Sequence, residues 1–300
     1  MSLFTTRCGS PAQQHRSMHL LLVAAGAAAV LSVQPSARAE DGGALDPVST
    51  VETATSRRLT VFGLTADQQL VSFRVANPAH HRVVGTISGL SGDTALVGID
   101  FRVQDGKLYG VGNAGGIYAI DTESATTTRV SQLTVPLNGA SFGVDFNPAA
   151  NALRIVSDAG QNLSHSVDAN TTTTQTALTF PGRTAFAVTG AAYVNNDLDV
   201  STATTLFDID SVNNVVAIQS PPAGGVLVTA GALGVDVDAP VGFDIYSTLR
   251  NGLTVHNTGF AALTAGGQGG LYVVNLLTGH ARLVGQFSTR VVDLALPLDQ

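Results

Sequence analysis

VGIDFRVQDGKLYGVGNAGGIYAID, running from Val97 to Asp121, is the stretch that decides the fold. Its opening, Gly98-Ile99-Asp100-Phe101, returns as Gly143-Val144-Asp145-Phe146 and as Gly242-Phe243-Asp244-Ile245. A degenerate copy is Gly190-Ala191-Ala192-Tyr193, and a last one, without the glycine, is Val291-Val292-Asp293-Leu294. Successive copies lie 45, 47, 52 and 49 residues apart. Self-similarity at a period of this size is the mark of a repeat architecture, in which each unit buries its faces against its neighbours.

The same order of runs and turns follows each copy. After Asp100 come a polar turn at Gln104-Asp105-Gly106 and the run Leu108–Val111. A glycine turn at Ala114-Gly115-Gly116 and the run Ile117–Asp121 complete the stretch, and a Thr-rich turn then leads to Arg129–Leu133. The second unit repeats this with Leu153–Val156, Leu163–Asp168 and Thr176–Leu178. The third has Leu206–Asp210 and Val215–Ile218, and the fourth has Phe260–Leu263, Leu271–Asn275 and Arg282–Gly285. Short runs with period-two alternation, rich in β-branched and aromatic residues and separated by Gly, Asn or Asp, are antiparallel strands joined by hairpins. No window of a dozen residues carries a stripe of helical period. The fold class is therefore all-β.

The two ends complement each other. Leu59–Leu64, Leu70–Phe73 and Arg82–Gly85 read as the second to fourth strands of a unit that lacks its first. Val292–Leu296 reads as a first strand alone. Joining the two closes a ring of about five four-stranded blades, which removes the long exposed sheet edges of an open array. An open solenoid or a pair of sandwiches leaves the orphan C-terminal strand unexplained.

Residues 1–39 have the layout of a secretory signal peptide. Arg7, His15 and Arg16 form a basic front, Leu20–Val33 an apolar run of 14 residues, and Ala37-Arg38-Ala39 a small-x-small cleavage pattern before Glu40. The run falls short of the roughly 20 residues that span a bilayer. Cleavage between Ala39 and Glu40 removes both Met residues and the single Cys8, which excludes disulfides and thiolate chemistry from the mature chain. Twelve basic against 22 acidic residues then give a net charge of −10, which argues against nucleic acid and anionic membranes as partners. Residues 40–58 read as a flexible linker and 59–300 as one domain.

Several motifs fall in order along this domain: Leu64-Thr65-x-Asp67-x-x-Leu70-Val71-Ser72-Phe73, the repeated Gly-[Ile/Val]-Asp-Phe at Gly98 and Gly143, Asn257–Thr264, and Leu271–Gly279. Together they resemble the bacterial secreted domain of unknown function DUF4394. The resemblance implies a propeller-like β-fold and an exported protein, periplasmic or extracellular. It implies no activity and no catalytic residues.

The residues that could carry chemistry are mostly acidic. Asp100, Asp145, Asp244 and Asp293 recur on the first strand of four units, with Ala192 in the fifth. On innermost strands they form a ring about the axis, where carboxylates can hold a hard cation such as Ca²⁺. They can equally accept backbone N–H groups and lock blade to blade, and recurrence in almost every blade favours this second role. The pairs Asp197/Asp199, Asp208/Asp210 and Asp236/Asp238 read as exposed strand or turn residues, without a full calcium-loop pattern. His80, His81, His165, His256 and His280 are scattered, without zinc-motif spacing. No Gly-x-Ser-x-Gly elbow is present. Glycines 110, 112, 115 and 116 lie in a hairpin and open no helix, so they are no dinucleotide fingerprint. The Thr runs at 126–128 and 171–174 read as solvated surface.

Two functions follow as expectations. One is a monomeric exported scaffold that binds an envelope protein or a glycan and has no catalytic site or cofactor. The alternative is a Ca²⁺-assisted hydrolase or lyase using Asp100, Asp145 and Asp244. The places that break the repeat, the Ala192 gap and the insertion at Arg250–Thr258, are where function is expected.

Overall fold

Alternation of buried and exposed residues along short runs gives strands, and the hairpin turns between them give meanders. The computed structural model describes residues 58–298; the expected signal peptide, its expected Ala39/Glu40 cleavage point and nearly all of the expected linker lie outside the described residues. Blade 1 holds β1 (Thr60–Thr65), β2 (Gln69–Arg74) and β3 (Asn77–Thr86). Blade 2 is β4 (Leu96–Arg102), β5 (Lys107–Gly112), β6 (Gly116–Ile120) and β7 (Thr127–Gln132). Blade 3 is β8 (Phe142–Asn147), β9 (Ala152–Ser157), β10 (Asn162–Ser166) and β11 (Thr171–Thr174). A small hairpin, β12 (Thr179–Phe180) and β13 (Arg183–Thr184), precedes blade 4. Blade 4 is β14 (Val188–Tyr193), β15 (Leu206–Asp210), β16 (Val215–Gln219) and β17 (Leu227–Ala232). Blade 5 is β18 (Asp238–Arg250), β19 (Leu253–Ala265), β20 (Gln268–Val274) and β21 (Ala281–Gln286).

The last strand, β22 (Val291–Ala295), pairs antiparallel with β1, with Leu64 opposite Asp293 and Phe62 opposite Ala295. It supplies the missing first strand of blade 1 and completes a five-bladed propeller. The innermost strands touch in cyclic order, β4 to β8, β14, β18, β22 and back to β4. Among the described residues, helical structure is confined to Arg58 and a 3₁₀ turn at Pro222–Gly224, and no helix is long and apolar enough to cross a membrane.

Each blade has two buried faces, and the core divides into five clusters, one at each junction between blades. Leu64, Leu70, Ile99, Leu108 and Tyr118 fill the first junction, and Tyr109, Val111, Phe146 and Ile155 the second. Phe207, Ile209, Phe243 and Ile245 fill the fourth, and Phe73, Phe260, Leu271 and Leu294 the fifth. The third, between blades 3 and 4, takes Leu178 and Phe180 from the inserted hairpin segment. Outermost strands are blunted. In blades 1, 2, 4 and 5 the outer pairing carries a register shift, and in blade 3 the outer strand has only four residues, which limits edge-to-edge association.

Candidate functional site

The recurring glycine and aspartate meet at the axis. A Cβ on Gly98 would lie 2.5 Å from Val144 Cγ2, and one on Gly143 would lie 2.7 Å from the Ala191 nitrogen. Gly190 meets Phe243 and Gly242 meets the backbone of Asp293 in the same way. Each inner strand therefore runs against the next with no room for a side chain. At β22, where Val291 stands in place of the glycine, Gly63 on the paired strand makes the space.

That close approach brings the aspartates within reach of the neighbouring backbone. The Ile99 N–H donates to Asp293 Oδ2 at 2.7 Å, and the Phe146 N–H to Asp100 Oδ2 at 2.7 Å. The Tyr193 N–H donates to Asp145 Oδ1 at 3.0 Å, and the Leu296 N–H to Asp244 Oδ2 at 2.6 Å. Four of the five junctions are thus bridged by a carboxylate. Asp100, Asp244 and Asp293 also accept the N–H of the following residue on their other oxygen.

Asp100, Asp145 and Asp244 each bring one carboxylate oxygen to within 4.8 Å of the others. Asp293 belongs to the same ring of buried acids but not to that group. Burial pushes Asp100, Asp145 and Asp293 well above the usual carboxylate range, and the neighbouring carboxylates add to the rise. Burial also raises Asp244, to about 6. Four acids in one dry channel can be neutralised by protons or by a cation that prefers oxygen ligands.

The junction between blades 4 and 5 is built differently. Ala192 has no carboxylate to offer, and the chain beyond it forms a loop that grips the long β18–β19 hairpin. The Asn195 N–H donates to Asn257 Oδ1 at 3.1 Å, and Asn257 Nδ2 returns a bond to Asn195 Oδ1 at 2.8 Å. The Asn196 N–H donates to Ser247 Oγ and its Nδ2 to the Ile245 carbonyl. Asp197 Oδ2 accepts both the N–H and the hydroxyl of Thr254. The Ala192 gap and the Arg250–Thr258 insertion are therefore neighbours in space. On this corner Leu198, Val200, Leu253 and Val255 are exposed, Val200 completely.

The remaining acids separate by surroundings. Asp199, Asp236 and Asp238 are exposed as expected. The expectation fails for Asp197, Asp208 and Asp210, which are buried. Asp210 caps the β15–β16 turn by accepting the N–H groups of Val212 and Asn213. Asp208 is fully buried in the junction with blade 3, and neither of its oxygens has a hydrogen-bond partner. Burial lifts it to about 8, with Arg154 pulling the other way. Arg154 is itself buried and bonds Tyr193, Asn162, the Leu163 carbonyl and Gln175. Alternation alone placed two aspartates on one face of β15; the facing blade decided that both would be dry. Thr127 is likewise buried, because its hydroxyl donates to the Ser88 carbonyl at 2.8 Å.

Sequence reading also missed Asp93. Its carboxylate accepts the N–H groups of Ala114 and Gly116 and the hydroxyl of Tyr118. A Cβ on Gly112 or Gly116 would collide with that carboxylate, so the glycines of this hairpin form its cradle. The density of glycine was the available signal. His80 and His280 are exposed and His81 is half-buried, whereas His165 is buried between Ser131 Oγ at 2.8 Å and Thr172 Oγ1 at 3.0 Å. This is no nucleophilic dyad. Ser131 gives its proton to Asn170 Oδ1, which also takes the Gln132 N–H, so the hydroxyl is not poised to pass its proton to the imidazole. A surface concavity of about 850 Å³ lies over Phe62, Phe101 and Ile120 with Lys107, Asp121 and Glu123 among its lining, and includes none of the axial acids.

No curated protein matches the chain. Among solved structures, a chain of the nidogen/laminin complex is similar at a TM-score of 0.46 and 10% identity, covering 81% of this chain and 87% of that one. PorZ, a bacterial surface component of the type-IX secretion system of Porphyromonas gingivalis, is similar at a TM-score of 0.37 and 19% identity, covering 77% of this chain and 27% of that one. The family model described as "Domain of unknown function (DUF4394)" matches residues 69–295, from β2 through β22, and the chain belongs to that family.

Proposed function

We propose that the protein is an exported propeller scaffold that binds a protein partner of the cell envelope or extracellular space through the corner between blades 4 and 5. The observation that supports this is the exposed aliphatic group Leu198, Val200, Leu253 and Val255 on a loop and hairpin tied together by side-chain hydrogen bonds. An apolar surface held in place, rather than left to collapse, suits a protein interface. The group contains no aromatic ring, which favours a protein over a glycan. The hydrolase or lyase alternative gains nothing from the axis, where Asp100, Asp145 and Asp244 are buried and engaged by backbone N–H groups.

A photo-crosslinking residue placed at position 253 in the producing cell tests the proposal. The expected result is one adduct of defined mass with a second protein, absent when the same residue replaces the exposed Leu277. No adduct from position 253, an adduct equally strong from 277, or an adduct only with a second copy of the chain overturns it.

A further inference from the structure

The axial carboxylates pose a problem that hydrogen bonds alone do not solve. The backbone N–H groups that reach Asp100, Asp145, Asp244 and Asp293 are donors suited to ionised carboxylates. The charged side chains that act on these four acids are one another. Asp145 adds an independent observation. Its side chain is 1% exposed, Oδ1 takes the Tyr193 N–H, and no hydrogen bond reaches Oδ2. A carboxylate oxygen on a side chain so nearly enclosed ordinarily has a partner.

We propose that the propeller axis is a binding site for a single Ca²⁺-class cation, held by Asp100, Asp145 and Asp244. Three oxygens that all lie within 4.8 Å of one another share a point no more than about 2.8 Å from each. An inward adjustment of a few tenths of an ångström brings that point to the roughly 2.3–2.6 Å at which Ca²⁺ takes oxygen ligands. Mg²⁺ requires about 2.0–2.1 Å and near-ideal octahedral geometry, which a ring of carboxylates fixed by their own backbone bonds does not provide. Each bonded oxygen keeps a second lone pair, so blade-to-blade bonding and metal binding use different electrons of the same carboxylates. Ala192, in the fifth position, supplies no ligand and leaves that side of the ring lined by a methyl group. The site is separate from the exposed corner, so it stands or falls apart from the identity of any partner.

The test uses the purified full-length domain, stripped with EDTA and then given CaCl₂ or MgCl₂. Binding to the native state alone raises Tm by mass action. At 1 mM CaCl₂ a rise of about 5 °C or more is expected for a site with a Kd near 10 µM, with a clearly smaller rise from MgCl₂. Asp145→Asn keeps an oxygen for the Tyr193 N–H and is expected to fold but to lose the CaCl₂ response. Asp244→Asn serves as the second variant should Asp145→Asn not fold. Asp208→Asn, whose acid lies in another junction, is expected to keep the full response. Terbium luminescence read in parallel should report one site in the wild type and none in Asp145→Asn. An unchanged Tm in CaCl₂, or an equal rise in wild type and Asp145→Asn, overturns the proposal.

Discussion

The second and fourth junctions of the ring solve one problem in two ways. Between blades 2 and 3, Asp100 on one inner strand takes the Phe146 N–H of the next, across a gap narrowed by Gly98. Between blades 4 and 5, Ala192 replaces the acid, and Asn195, Asn196 and Asp197 reach outward to Ser247, Thr254 and Asn257. The first solution places a charge in the channel and leaves the end of the ring plain. The second removes the charge from the channel and builds a protrusion. Loss of a repeat residue and gain of an insertion are therefore one event structurally, since the grip lost at the axis is supplied at the rim.

Three substitutions probe the contrast. Gly143→Ala puts a methyl 2.7 Å from the Ala191 nitrogen and 2.8 Å from the Gly190 carbonyl carbon, both backbone atoms that cannot turn aside. It should cost about 3 kcal/mol, the upper range for overpacking, read as a lower denaturation midpoint. Asp197→Ala removes the acceptor for two groups of Thr254 and should cost about 1–3 kcal/mol. Exchange of backbone amides should then quicken along residues 250–258 and stay slow at Phe146, because only the rim fastening is cut. An equal quickening at both places would mean that the junctions are not independent.

The third effect is expected at Asp208, also in the third junction, and it depends on pH. Asp208 sits near 8 in the folded protein against 3.8 for an ordinary carboxyl. The folded state thus holds a proton that the unfolded chain releases, and stability falls as pH rises through this window. Asp208→Asn should flatten that part of the profile. Its stability relative to wild type should be greater at pH 9 than at pH 4, as read by urea denaturation at both. A profile with unchanged slope would show that Asp208 does not titrate in the fold.

The period of the chain was legible because construction repeats where sterics repeat. Gly98, Gly143, Gly190 and Gly242 each face the same crowded gap, so the same residue recurs and the blades can be counted. The acids at the axis were legible for the same reason. Asp208 and Asp93 were not, because their surroundings come from other blades or from a connecting loop and follow no local period. Nor does alternation reveal that Leu178 and Phe180 leave the strand pattern to plug the third junction. The corner could be located as a break in the repeat, but the bonds that join its two halves run between residues 49 to 62 positions apart.

Pairing β22 with β1 also sets an order in time. Val291 lies opposite Thr65, more than 220 residues away in the chain, so blade 1 stays three-stranded until the last strand has been made and delivered. Closing so long a loop costs little more entropy than closing one half its length, because the cost grows only with the logarithm of length. It is nonetheless a contact of extreme sequence separation, of the kind that slows folding. Until it forms, β1 presents an unpaired edge to any other strand at hand. The interval before closure is thus when the chain is most open to misassembly, and anything that shields β1 during it acts as a folding aid.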